Sequence, residues 1–107
     1  MGSSRATQYK DRTVDIFGSK WKLKFVDAIE VDDGASVDGL TDSTNRIISV
    51  DVKQAKSEAD ITLLHELIHA ILNTGQYFNA SRDEPMVEFL ARGIQALIKQ
   101  GVLQWKL

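Results

Sequence analysis

The chain has 107 residues, 43% of them hydrophobic and 26% charged, which suits one globular domain rather than a disordered segment or two domains. It has no cysteine, which excludes disulfides, thiolate metal ligands and a thiol nucleophile. A formal net charge of -2 gives no basic excess for nucleic acid, and no apolar run approaches the ~20 residues that span a bilayer.

Residues 1–9 read as an N-terminal tail, with Met1 to Ser4 a cloning remnant, and residues 10–107 as a single domain. The opening MGSSRATQYK lacks the apolar core of a signal peptide, so a cytoplasmic location is expected. Alternation in Arg12 to Phe17 and again in Lys20 to Ile29 predicts a hairpin turning at Gly18-Ser19. Lys20, Lys22 and Lys24 then share one strand face and Trp21, Leu23 and Phe25 the other; the lysines are read as a solvated face. Asp32-Asp33-Gly34 signals a turn, Val37 to Leu40 a short strand, Asp42 to Asn45 a polar loop, and Ile47 to Val52 a stronger strand.

The period then changes. From Ser57 to Thr74 apolar residues recur at Ile61, Leu64, Ile68 and Ile71, with Leu63, Leu67 and Leu72 widening the stripe, which predicts a helix. Ser57 is the expected N-cap and Gly75 the stop. A loop of about nine residues leads to Pro85, where a second helix starts and runs to near Gly101. Strands followed by helices predict an α+β fold: a small, mostly antiparallel sheet with both helices packed on one face.

The first helix carries ITLLHELIHA, which contains both histidines of the chain. Residues four apart lie on one helix face, so His65 and His69 can aim imidazole nitrogens at one metal ion. Zinc acidifies the water it coordinates, and Glu66 is placed to take that water's proton as general base. This His-Glu-x-x-His pattern arises by chance in about one of a thousand random orderings of this composition. The bland alternative is a pair of core histidines satisfied by carbonyls. Burying two imidazoles and a carboxylate without partners is costly, which weighs against it.

A catalytic zinc keeps three protein ligands, and with no further histidine or cysteine the third must be Asp or Glu. Asp83, Glu84 and Glu88 are the candidates. If the helices are antiparallel, Glu88 lies one turn into the second helix, level with His69, and is favoured. Glu84 has another use, because SRDE matches a capping box with Ser81. Tyr77 and Arg92 are candidate donors to an oxyanion, by proximity in sequence alone.

HELIHA, a short loop and the Glu-bearing DEPMVEFLARGI together resemble the gluzincin zinc peptidases. In particular they are similar to small phage- and mobile-element-associated zincin-like proteins, related more distantly to ImmA/IrrE-type metallopeptidases. The likeness runs from about Gly39 to Ile98. It implies a minimal zincin-like fold with a strand beside the active-site helix, a Zn2+ cofactor held by His65, His69 and Glu88, and Glu66 as base. An alternative alignment makes Glu84 the ligand, with Glu88 the acidic residue that some gluzincins carry four places later. The departure is size, since no DNA-recognition domain accompanies the core.

The expected activity is zinc-dependent peptide-bond hydrolysis on an extended peptide or protein substrate laid along Ile47 to Val52. A non-catalytic regulatory module that keeps the zinc site is the alternative. Neither the substrate's identity nor an oligomeric state follows from the sequence.

Overall fold

A computed structural model describes residues 9–105. Strands β1 (Arg12–Ile16) and β2 (Ser19–Val26) form the expected hairpin, with Ile16 opposite Ser19. The turn is Phe17-Gly18, one residue earlier than expected. Both residues adopt positive φ, 51° and 89°, as a two-residue turn that follows the strand twist requires. Asp15 Oδ1 accepts from the Gly18 amide at 2.7 Å.

Strands β3 (Gly39–Asp42) and β4 (Ile47–Asp51) complete a four-stranded mixed sheet in the order β1-β2-β4-β3. β2 and β4 are parallel; the other two pairings are antiparallel. Ile47 to Val52 is therefore not an edge. β4 is an inner strand, with Ile48 and Val50 fully buried, and β3 is the edge. Alternation reports which face of a strand is buried and is blind to how many neighbours it has.

Helix α1 (Lys56–Thr74) starts at Ala55 with no side-chain cap, so Ser57 is not the N-cap. The helix ends at Gly75 as expected, but there φ is -85° and the left-handed residue is Gln76. A Cβ at 75 would sit 3.0 Å from the Tyr77 ring, a tight contact that glycine avoids. The loop beyond contains a one-turn helix, α2 (Phe78–Ser81), and α3 (Glu84–Lys99) follows. Asp83 caps α3 by accepting from the Met86 amide at 3.1 Å, so the expected Ser81 capping box does not form.

The helices do not share a face of the sheet. α1 lies on the sheet, and α3 lies on α1. Advancing 100° per residue, α1 therefore has three sectors. Ala59, Leu63, Leu67 and Ala70 pack with Trp21, Leu23, Ile48 and Val50 of the sheet. Ile61, Leu64, Ile68 and Leu72 pack with Val87, Ala91, Ile94 and Ile98 of α3. Thr62, His65, Glu66, His69 and Asn73 occupy the sector between. Sandwiching explains the near-continuous apolarity of α1 and leaves its one polar sector facing a cleft between α3 and β3.

Tyr9, expected in the N-terminal tail, is buried. Its ring stacks on Phe25 at 4.9 Å and its hydroxyl donates to Asp60 Oδ1 at 2.6 Å. No helix among the described residues is long and apolar enough to cross a membrane.

Candidate metal centre

His65 and His69 turn their rings toward each other, and their Nε2 atoms stand 3.2 Å apart. Glu84 Oε1 lies 2.8 Å from His65 Nε2 and 3.2 Å from His69 Nε2. These three residues have ligand atoms close enough together to hold one ion. Glu88 is elsewhere on the same imidazole: its Oε1 accepts from His65 Nδ1 at 2.8 Å, and its Oε2 accepts from Arg92 Nε at 2.8 Å. The carboxylate that meets both Nε2 atoms is thus Glu84, and the favoured Glu88 contacts the back of one ring.

The reason lies in the loop. The expectation set α3 to begin level with the end of α1. Instead α2 leads the chain back alongside α1, so that Ser81 Oγ is already 2.9 Å from His69 Nδ1. α3 then begins beside the histidines, and its first residue, Glu84, faces the pair. Ser81, buried by this path, was read from the sequence only as a cap.

The donor chemistry fits a cation. A carboxylate only accepts, so His65 Nδ1 must carry the proton that it shares with Glu88. In a neutral ring Nε2 then bears a lone pair, aimed at a carboxylate oxygen and at a second Nε2. Three such atoms 2.8–3.2 Å apart are satisfied either by a cation among them or by a proton on His65 Nε2. Donors bound at ~2.0–2.1 Å on a tetrahedral zinc would stand about 3.3 Å from one another. Partners on the far nitrogens, here Glu88 and Ser81, fix ring orientation as metal-binding histidines require.

Glu66 faces the sheet side of the cleft. Its Oε1 accepts from Thr41 Oγ1 at 2.6 Å. Burial raises the Glu66 carboxyl above its ordinary range; the Thr41 hydrogen bond and the nearby histidines oppose that rise. Thr41 and Gly39 are two apart on β3 and point to the same, inner face. A Cβ on Gly39 would meet Thr62 Cγ2 at 2.5 Å and Glu66 Cγ at 3.0 Å, so glycine allows the edge strand this close to α1. The sequence marked neither residue; only the pairing of β3 beside α1 brings them to Glu66.

Two hollows of about 300 and 350 Å³ share Gly39, His65 and Glu66, and together make a groove along β3. Arg92 lines the first but is held by Glu88. Tyr77 is 66% exposed and lines neither. Comparison with protein-family models, curated proteins and solved structures finds no match.

Proposed function

We propose that the chain is a zinc-dependent peptidase of minimal gluzincin type, in which His65, His69 and Glu84 hold the metal. One observation carries the reading: three donor atoms converge on the polar sector of α1 while the far nitrogens of both rings are occupied by Glu88 and Ser81. Glu88 is accordingly assigned as the carboxylate that orients His65, with Arg92 holding it in place.

When bound, the cation supplies a Lewis acid that polarises a carbonyl and makes water a better nucleophile near neutral pH. Glu66, steadied by the Thr41 hydroxyl, accepts the proton of the attacking water and delivers it to the departing amine. The exposed edge of β3 offers main-chain hydrogen bonds to an extended peptide, which would lay its backbone across the groove.

Incubating the zinc-loaded protein with a mixed peptide library, beside Glu66→Gln, tests the activity. Cleavage by the parent and not by the variant is expected. Equal cleavage by both would trace the activity to a contaminant. Zinc binding without cleavage would favour the regulatory module that retains its metal. The 2.8 Å spacings of His65 to Glu84 and Glu88 also suit a protonated imidazole clamped by two carboxylates. Failure to bind zinc would favour that reading.

A further inference from the structure

Helix α3 has a second apolar face that nothing among the described residues covers. Its inner face, Val87, Ala91, Ile94 and Ile98, packs on α1. At 100° per residue, Met86, Phe89, Leu90, Gly93 and Leu97 form an adjoining stripe whose centre is turned roughly 115° from that inner face. Phe89 is 74% exposed, and Leu90 and Leu97 about two-fifths. Val102, at 65% exposure, and Leu103, at 42%, follow just beyond the helix.

At the middle of the stripe is Gly93. Glycine weakens a helix interior, and nothing among the described residues requires it here, since an added Cβ would meet no atom within 4 Å. Its φ is not positive either. The open space over Gly93 leaves room for a neighbouring backbone to approach the helix closely.

We propose that this face binds a second copy of the same chain, two α3 helices crossing antiparallel on a twofold axis at Gly93. The stripe is self-complementary about that residue. Four positions before it is Phe89 and four after it is Leu97; three before is Leu90 and three after is Ala96. In an antiparallel pair Phe89 of one copy meets Leu97 of the other, Leu90 meets Ala96, and the two glycines let the backbones close. A twofold interface requires this match of a patch with its own reverse.

The size is adequate. The exposed apolar side chains offer on the order of 400 Å² per chain, and with an interface about 60–65% apolar the pair would bury roughly 1,200–1,300 Å² in total. That reaches the ~1,200 Å² at which specific interfaces begin. Because Glu84 and Glu88 project from the other side of α3, pairing leaves the groove of each copy open.

Sedimentation of the whole chain from low micromolar to sub-millimolar concentration tests this, together with the double variant Phe89→Asp/Leu97→Asp. A reversible dimer is expected, with its dissociation constant raised at least about 100-fold in the variant. Cysteine scanning gives a second readout that needs no disruptive change, because the chain has no cysteine. The double variant Leu90→Cys/Ala96→Cys, whose two positions meet across the axis, should oxidise to a disulfide-linked dimer far faster than Lys22→Cys on the outer face of the sheet. A monomer at every concentration, a dimer indifferent to the double variant, or equal oxidation of the two cysteine variants would each overturn the proposal.

Discussion

Replacing Glu84 should weaken zinc binding more than replacing Glu88, although the sequence favours Glu88. Glu84 Oε1 approaches both Nε2 atoms, whereas Glu88 touches only the Nδ1 side of His65. Four protein ligands in small zinc domains contribute ~10–16 kcal/mol, so one is worth roughly 2.5–4 kcal/mol. At ~1.4 kcal/mol per decade, Glu84→Ala should lower affinity about 100- to 1,000-fold. Loss of a group that merely orients a ligand costs ~10- to 100-fold. Glu88→Gln should fall at the low end, about tenfold, because the amide oxygen still accepts from His65 Nδ1. Competition against a chromophoric chelator at fixed pH measures both. If Glu88→Gln loses more affinity than Glu84→Ala, the ligand assignment is wrong and the second carboxylate of the helix is the metal's.

Other outcomes follow from single contacts. Thr41→Val should lower kcat about 10- to 100-fold with zinc affinity unchanged, since it removes a hydrogen bond to the ionised form of Glu66, and Thr41→Ser should restore most of the rate. Gly39→Ala should cost ~1–3 kcal/mol of stability, read as a lower thermal midpoint, because its methyl group would overlap Thr62. The Tyr9 hydroxyl is held well above its ordinary pKa by burial first, then by its hydrogen bond to Asp60 and that residue's charge. A raised folded-state pKa means this contribution is intact below pH ~10 and is lost as the pH climbs beyond it. Urea unfolding from pH 8 to 11 should therefore show a steeper alkaline loss in the parent than in Tyr9→Phe.

Much of this fold is written in local pattern. Period-two alternation located β1, β2 and β4, and the change of period at Ser57 located α1 to within a residue. What local pattern cannot carry is which element lies beside which. Ile47 to Val52 looks the same as an inner or an edge strand, and the all-round apolarity of α1 gave no sign that α3 lies on its far side. The histidine pair was legible because both rings ride one helix, whose geometry is fixed. The third donor was not, because its height depended on a loop. The one-turn helix Phe78–Ser81 reset that height, exchanging the positions expected of Glu84 and Glu88. Thr41 and Gly39 were hidden for the same reason, as their role exists only once β3 takes the edge beside Glu66.

The central claim is a single cation held by two imidazoles and one carboxylate on the polar sector of α1. X-ray absorption at the zinc edge of the metal-loaded protein tests it most directly. One zinc per chain, a shell of nitrogen and oxygen at ~2.0–2.1 Å, and the outer scattering of two imidazoles are expected. An oxygen-only shell, a single imidazole, or a protein that retains no zinc would contradict it.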